Sequence, residues 1–322
     1  MRDKIKAFLL SSNHSYVSGE ELSEKLNVSR TAIWKHIEEL KKEGYQIEAV
    51  RKKGYRLLND PDDISGERIK DQLYTDWLGQ VIHYEPVVES TQLIAHDLAK
   101  NGAKHGTIVL ADEQTKGKGR LGRTWYSASG KGIWMSIILR PSFGYQLAPL
   151  VTLFTSVVLE KALENQFQIS FSIKWPNDIY FQNKKVSGIL TEIHGEQDRL
   201  HYLIIGLGIN THQASYPEEI KDKAISIEEI TGLNTKRSTI IKDFLRLFEA
   251  SYEQFIVEGF QPFYEDYNKR MMGKGQMIEA QHLGTNKIGR LAGIADDGYL
   301  LMQLPNDEII KIIAGDIHFK NK

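Results

Sequence analysis

The sequence predicts an α+β protein of three consecutive domains, and three observations support this fold class. Apolar residues recur at helical spacing in three short segments before residue 45. Strand-like and helix-like segments then alternate between about Gly66 and Gly273, and short apolar strands separated by turn residues follow. With 322 residues, 41% of them hydrophobic, the chain can bury more than one core. The predicted domains are residues 1–63, 64–272 and 273–322.

The first domain is predicted to be a winged helix-turn-helix. Ser18 and Glu21 have the spacing of a capping box at the start of a second helix, and Ser29 can cap a third helix after the short turn of residues 27–29. A hairpin at residues 45–58 follows as the wing. The apolar faces of the three helices are formed by Ile5, Phe8 and Leu9, by Leu22 and Leu26, and by Ile33, Ile37 and Leu40.

The polar face of the third helix and the hairpin tip have the composition of a DNA-reading surface. The first 60 residues contain 12 Lys and Arg against 9 Asp and Glu, and the rest of the chain contains 29 against 33. A solvated basic turn would also explain the hairpin alone, but a cap, a short turn and a basic wing in this order favour DNA binding. The candidate DNA contacts are Arg30, Thr31, Lys35 and His36 in the helix and Arg51, Lys52 and Lys53 in the wing. Residues 59–63 are predicted to be a linker.

Composition excludes several kinds of chemistry. The chain has no cysteine, which rules out thioesters, zinc–thiolate sites and disulfides. Its ten histidines lack the H-x-x-x-H spacing of a zinc site, so no protein-held metal is predicted. The first ten residues are unlike a secretory signal, and no apolar run approaches the ~20 residues that span a bilayer. The expectation is a cytoplasmic protein without a membrane partner.

Three short segments of the second domain contain the candidate site residues. The first, Glu89-Ser90-Thr91-Gln92, stands between a strand-like segment and an amphipathic one. Its hydroxyls would suit either a helix N-cap or a ligand, and the local sequence does not decide between them.

The second segment is a basic, glycine-rich loop at residues 116–123, KGKGRLGR, which follows Gln114. Glycines let backbone N–H groups approach an anion, and lysine and arginine supply charged donors for phosphate or carboxylate. A flexible surface loop is the alternative, but Trp125, Tyr126 and Trp134 close behind it favour a ligand site. The loop also matches the dinucleotide fingerprint G-x-G-x-x-G. We reject a nicotinamide site because turn residues follow the last glycine instead of a helix, and no acidic residue stands about 20 positions later.

The third segment is Lys174-Trp175-Pro176-Asn177-Asp178, followed by Lys184-Lys185-Val186-Ser187-Gly188-Ile189-Leu190. Asn177 and Asp178 could bind magnesium or hold a phosphate loop, although turns of this type are also common as structure alone. Downstream, an apolar strand ends in Gly206-Leu207-Gly208-Ile209-Asn210, where a ligand can approach the backbone.

Taken together and in this order, these motifs resemble the biotin–protein ligase family. The resemblance covers essentially the whole chain, and the N-terminal helix-turn-helix makes it most similar to the bifunctional bacterial members that also repress the biotin operon. It implies a central catalytic domain of the biotin/lipoate ligase type. It also implies that ATP, with Mg²⁺, activates biotin to biotinyl-5′-AMP, and that the biotinyl group passes to a lysine of a biotin carboxyl carrier protein.

The resemblance also assigns residues. Lys185 and Arg120 are the candidate catalytic cations, because two anions must be brought together at the α-phosphate. The candidate biotin contacts are Ser90, Thr91, Gln92, Gln114, Lys118, Gly119, Arg120 and Lys185, and the candidate nucleotide contacts are Asn177, Asp178, Gly208, Asn210 and Trp125.

Two departures affect the transfer of these roles. The loop has Lys118 and Leu121 where some members have arginines, and Lys118 lacks the bidentate fork of arginine. Residues 211–226 contain no tryptophan, although an aromatic residue in that loop covers the adenine in some relatives. Trp125 or Tyr126 could take its place.

Repression implies a dimer, because one helix-turn-helix reads only a half-site. The resemblance implies a homodimer promoted by biotinyl-5′-AMP and bound to operator DNA. The alternatives are a ligand-responsive repressor without catalysis and a ligase for another acid such as lipoate. The last domain, with turns at residues 296–298 and 305–307 between apolar strands, is predicted to be a small SH3-like β barrel that caps the enzyme and supplies no catalytic residue.

Overall fold

A computed structural model of the chain describes residues 1–12, 15–42, 44–59, 62–196 and 199–320. The chain divides into two compact units, residues 1–63 and 64–322. Part of the predicted linker at residues 59–63, namely Asp60 and Pro61, lies outside the described residues.

The first unit is a helix-turn-helix followed by a hairpin. Its elements are α1 (Arg2–Ser11), α2 (Gly19–Leu26), α3 (Arg30–Lys42), β1 (Gln46–Val50) and β2 (Gly54–Asn59). Ile5, Leu22, Ile33, Ile37 and Leu40 form one buried cluster, so the apolar faces predicted from helical spacing meet in a single core. The strands β1 and β2 pair in antiparallel fashion, with Arg51, Lys52 and Lys53 at the turn between them.

Two serine hydroxyls set the starts of α2 and α3. Ser18 Oγ accepts a hydrogen bond from the backbone N–H of Glu21 at 3.0 Å, and Ser29 Oγ accepts one from Ala32 at 3.2 Å. Both predicted caps are therefore present. The second bond of a capping box, from the Ser18 backbone N–H to the Glu21 carboxylate, was predicted wrongly. That carboxylate pairs with Lys25 at 3.1 Å instead.

The second unit is built on a mixed sheet, which has seven strands within the described residues and the order β3-β4-β5-β9-β8-β7-β6. β3 and β4 run parallel and the other neighbours antiparallel. The strands are β3 (Ile82–Val88), β4 (Thr107–Gln114), β5 (Gly132–Leu139), β6 (Ser172–Lys174), β7 (Asp178–Phe181), β8 (Lys184–Glu196) and β9 (Arg199–Asn210). The helices are α4 (Gly66–Lys70), α5 (Thr91–Lys100), α6 (Leu150–Phe167), α7 (Ile227–Thr231), α8 (Arg237–Glu258) and α9 (Gln261–Arg270).

Both faces of this sheet are covered by helices. Alternate residues of β4, such as Ile108 and Leu110, join the larger core with α6 and α8, and Val109 between them packs with Ala95 and Ala99 of α5 on the other face. A sheet buried on both sides explains why its central strands are continuous apolar runs in the sequence. The predicted mixed α/β domain is confirmed.

The C-terminal residues form a second, antiparallel sheet. Its strands are β10 (Met277–His282), β11 (Thr285–Ile294), β12 (Leu300–Gln303), β13 (Ile309–Ile312) and β14 (His318–Phe319), paired in the order β13-β12-β11-β10-β14. A small β domain is confirmed. Within the described residues its pairing runs from β13 to β14, and no pair between these two strands closes it into a complete barrel.

The C-terminal sheet shares its core with the larger one. Ile278, Leu291, Leu300 and Met302 belong to the same buried cluster as α6 and the central strands. Trp175 Nε1 also donates to the Gly298 carbonyl at 3.0 Å. Residues 64–322 are therefore one compact unit, and a boundary after residue 272 stays a prediction. Within the described part of the chain no helix is long and apolar enough to cross a membrane, and the location of the protein stays a prediction.

Candidate functional site

A cavity of about 990 Å³ lies against the middle strands of the larger sheet. Segments that are far apart in the sequence form its wall: the start of α5, the basic loop, the turn before β7 and the ends of β8 and β9. All the site residues predicted for the second domain line it. They are Ser90, Thr91, Gln92, Gln114, Lys118, Gly119, Arg120, Trp125, Asn177, Asp178, Lys185, Gly208 and Asn210. The structure brings these residues together, and the role given to each stays a prediction.

Buried polar contacts hold the first turn of α5 against the sheet. Gln114 Oε1 accepts hydrogen bonds from the backbone N–H and the hydroxyl of Thr91, at 2.9 and 3.1 Å. Gln114 Nε2 donates to Ser127 Oγ at 2.9 Å. Ser136 Oγ lies 2.9 Å from Thr91 Oγ1 and 3.0 Å from Gln92 Oε1. This network fixes one wall of the cavity, because each of these side chains has partners inside the protein.

The Ser90 hydroxyl does not cap α5, although the residue stands at the N-cap position with an extended backbone. Its Oγ is buried, with 1% of the residue exposed, and has no hydrogen-bond partner among the described residues. A buried hydroxyl without a partner costs about 1–3 kcal/mol. The hydroxyl is therefore available to a group that enters the cavity.

The basic loop is closed on itself and tied to the turn before β7. Gly119 donates its N–H to the Arg123 carbonyl at 2.7 Å, which brackets a tight turn in which Leu121 has φ 56°. Arg120 Nη1 donates to Asn177 Oδ1 at 2.9 Å, and Asn177 Nδ2 donates to the Ile189 carbonyl at 2.8 Å. The Asn177 side chain, itself bonded to β8, therefore fixes the Arg120 guanidinium at the cavity.

Lys185, Asp178 and Trp125 form a second cluster in the cavity wall. Lys185 Nζ lies 2.8 Å from Asp178 Oδ2 and 5.0 Å from the centroid of the Trp125 ring. The indole lies on Gly208, where any Cβ would overlap it, so this strand end requires glycine. Trp125 Nε1 and Asp178 Oδ1 are buried without partners among the described residues. A donor and an anionic acceptor thus remain available to a ligand beside the Lys185 ammonium.

The loop after β9 contains no tryptophan but supplies another aromatic residue, Tyr216. Tyr216 lines the cavity and meets Tyr126 edge-on, with ring centroids 6.0 Å apart. Its hydroxyl is buried and unpartnered in the described structure, and burial raises its pKa well above the usual value. Asn210 Nδ2 donates to the Lys185 and Ile225 carbonyls at 3.3 and 3.4 Å, which ties this loop to β8. The only signal in the sequence was an aromatic residue within 211–226.

The C-terminal sheet contributes to the same cavity. Asp316, Ile317, His318 and Phe319 line it. The Asp316 carboxylate pairs with Arg123 of the basic loop and lies 4.0 Å from Arg120 Nη1. The C-terminal domain therefore anchors the basic loop, in addition to the capping role predicted for it. Sequence reasoning could not find Asp316, because its partners are more than 190 residues away in the chain.

The cavity is predominantly cationic. Lys118, Arg120, Arg123, Lys174, Lys185 and Lys223 line it, against the two acids Asp178 and Asp316. Lys174 Nζ lies 5.5 Å from the Tyr180 ring centroid and 5.7 Å from that of Phe319, and burial lowers its pKa. Such a surface favours ligands that bring several negative charges. The described residues contain no cluster of three or more histidine, aspartate or glutamate side chains that could hold a metal ion.

In the first unit the predicted DNA contacts lie on α3 and at the hairpin tip. Arg30, Thr31 and Lys35 are exposed, and the Arg30 guanidinium lies 2.7 Å from Glu20. His36 is less available than predicted, because it is half-buried with Nδ1 2.9 Å from Glu39 Oε2. The three wing cations are exposed.

Family models match all three parts of the chain. Residues 2–56 match an HTH domain, residues 84–210 match the biotin/lipoate A/B protein ligase family, and residues 275–320 match the biotin protein ligase C-terminal domain. The fold and the site thus define the class, a biotin/lipoate-type protein ligase joined to a helix-turn-helix.

Curated relatives and solved structures narrow this class. The bifunctional ligase/repressor BirA of Bacillus subtilis is 43% identical over 318 residues, covering 98% of this chain and 97% of the relative. That of Escherichia coli is 31% identical over 320 residues, with the same coverages. The biotin protein ligase from Aquifex aeolicus in complex with biotin and ATP superposes with a TM-score of 0.64 at 34% identity, covering 76% of this chain and all of that one. The chain belongs to the family of bifunctional biotin–protein ligases and repressors. The predicted family, fold class and enzyme class are confirmed.

Proposed function

We propose that the cavity joins biotin to ATP and that the same chain represses transcription when the product is bound. The observation that carries this proposal is the pair of cations, Arg120 and Lys185, on a wall that also presents the unpartnered Ser90 hydroxyl and Trp125 Nε1. A carboxylate oxygen of biotin attacks the α-phosphorus of ATP, the bond to pyrophosphate breaks, and biotinyl-5′-AMP forms. An acceptor lysine amine of a biotin carboxyl carrier protein then attacks the acyl carbon, loses a proton and releases AMP.

The protein's contribution to the first step is electrostatic and geometric. The two reactants are both anions, so cations fixed beforehand lower the cost of bringing them together. Arg120 is fixed by Asn177, and Lys185 by Asp178. We assign biotin to the wall formed by Ser90, Thr91, Gln92, Gln114, Lys118, Gly119, Arg120 and Lys185. We assign the nucleotide to Asn177, Asp178, Gly208, Asn210 and Trp125, with Tyr216 and Tyr126 as further aromatic neighbours.

Magnesium fits this site as the companion of ATP. The buried Oδ1 of Asp178 has no partner in the described structure, and Mg²⁺ prefers hard oxygen ligands, usually one or two carboxylates together with substrate phosphates. Asp178 would hold it, and the ion would neutralise phosphate charge.

Repression follows from the first unit. We propose that Arg30, Thr31, Lys35 and His36 reach base edges and phosphates of an operator, and that the wing cations contact its backbone. We further propose a homodimer on a two-fold operator, promoted by biotinyl-5′-AMP. Light scattering with and without biotin plus ATP tests this, and an unchanged mass would refute the coupling.

The enzymatic proposal is tested by the exchange of labelled pyrophosphate into ATP, offering biotin and lipoate in separate reactions. Biotin-dependent exchange is expected. Exchange with lipoate alone would identify a different acid, and no exchange with either acid would leave only a regulator.

A further inference from the structure

The polar face of α3 displays one large apolar side chain. Trp34 is 57% exposed, whereas its helix neighbours Ile33 and Ile37 are fully buried in the core. The remaining tryptophans of the chain pack in the second unit, where Trp134 and Trp175 are buried, Trp77 packs against the core and Trp125 lines the cavity. Trp34 is not part of the apolar core of the first unit.

The position of Trp34 on the helix places it among the proposed DNA contacts. It stands four residues after Arg30 and three after Thr31, so the three side chains share one face, with Lys35 beside them. All four residues are exposed. Long side chains on a helix lean toward its N-terminus, so the indole covers the turn that contains Arg30 and Thr31. That N-terminal turn is the part of a recognition helix that contacts base edges.

The chemistry of the ring selects one feature of DNA. In the major groove each base edge offers hydrogen-bond donors or acceptors, and the C5-methyl group of thymine is the one apolar element of this pattern. An indole face cannot replace the bidentate contacts of arginine or asparagine, but it can exclude water from a methyl group. Arg30 and Lys35 supply the charge that holds the helix against the phosphates.

We propose that Trp34 sets operator specificity by packing on a thymine methyl group in the major groove. This inference rests on the proposed DNA-reading role of α3. It adds a preference for thymine to the base contacts proposed for the other residues of α3, and it gives the exposed indole a partner of defined chemistry.

The test removes the methyl group without any other change. The probe is a duplex selected from a randomised library by the full chain with biotin and ATP, and each thymine is replaced in turn by uracil. At one or two positions of each half-site, wild-type affinity should fall about fourfold, the weight of one buried methyl group. For Trp34→Ala the same replacement should change the affinity by less than about twofold, because this variant has no indole to contact the thymine methyl group.

Matched variants separate the possible outcomes. Trp34→Phe keeps an apolar ring and should retain the thymine preference, and Lys35→Ala should weaken binding to every duplex. If Lys35→Ala weakens binding but uracil affects wild type and Trp34→Ala equally at every position, Trp34 does not read thymine although α3 does contact DNA. If neither Lys35→Ala nor Trp34→Ala alters binding to any duplex, the proposed DNA-reading role of α3 is wrong as well.

Discussion

The two units assemble their functional surfaces in opposite ways. In the first unit, the proposed DNA contacts Arg30, Thr31 and Lys35 are close together in the sequence, and a single helix presents them. In the second unit, the cavity draws on residues from Ser90 to Phe319, and the sheet brings them together. A contiguous surface can be removed or altered without touching the core that supports it. A dispersed site depends on contacts between distant segments, so substitutions at those contacts should impair it.

Deleting residues 1–63 is the largest change that tests this contrast. Operator binding should be lost completely, whereas ligation of biotin to the carrier protein should persist, because every cavity-lining residue belongs to the second unit. Electrophoretic mobility shift and carrier biotinylation assays measure the two activities. Loss of ligation in a truncated protein that still unfolds cooperatively would show that the units are not separable.

Replacing Lys185 by alanine should lower the rate of adenylate formation about 10²–10³-fold, the usual weight of one fixed charge or donor at a developing negative charge. Lys184→Ala is the matched control, since its neighbouring ammonium is not among the cavity residues. Single-turnover formation of biotinyl-5′-AMP is the measurement. A wild-type rate for Lys185→Ala would mean that the catalytic cation lies elsewhere.

Asp316 tests whether the dispersed site depends on its most distant member. Asp316→Asn removes the charge that pairs with Arg123 and faces Arg120, so the basic loop loses an anchor. We expect the kcat/KM for ATP to fall about tenfold, because losing one hydrogen bond to a charged group costs about that much binding free energy. Thermal stability should change little. Asp297→Asn breaks the pair with Lys311 in the same sheet and should leave kcat/KM unchanged. If the two variants have the same kcat/KM, Asp316 does not anchor the basic loop.

The smallest effect concerns the support of the contiguous surface. Ser29→Ala removes the cap of α3 and should lower the stability of the first unit by about 1 kcal/mol. Ser29→Asp keeps an acceptor oxygen and should retain most of that stability. The stabilities of both variants are measured by denaturant unfolding, with the amide exchange of α3 as the probe. If alanine and aspartate behave alike, the hydroxyl does not hold the start of α3.

The same contrast explains what the sequence could predict. Helical spacing located the core residues Ile33 and Ile37, and the chemistry of Ser29 located a helix start, because both signals are local. The motifs around Arg120 and Lys185 indicated an anion site, but only family resemblance identified the acid as biotin. Asp316 could not be found, since its ion pair with Arg123 exists only after the two sheets pack. The reciprocal capping bond of Glu21 was predicted wrongly, because Lys25 competes for the same carboxylate.

The central claim is that the cavity lined by Ser90, Arg120 and Lys185 makes biotinyl-5′-AMP. Mass spectrometry of the purified full chain after incubation with biotin, ATP and Mg²⁺ tests it most directly. Biotinyl-5′-AMP is expected to stay bound to the wild-type protein and to be nearly absent from Lys185→Ala. Wild-type protein that carries biotin and ATP but no adenylate would contradict it.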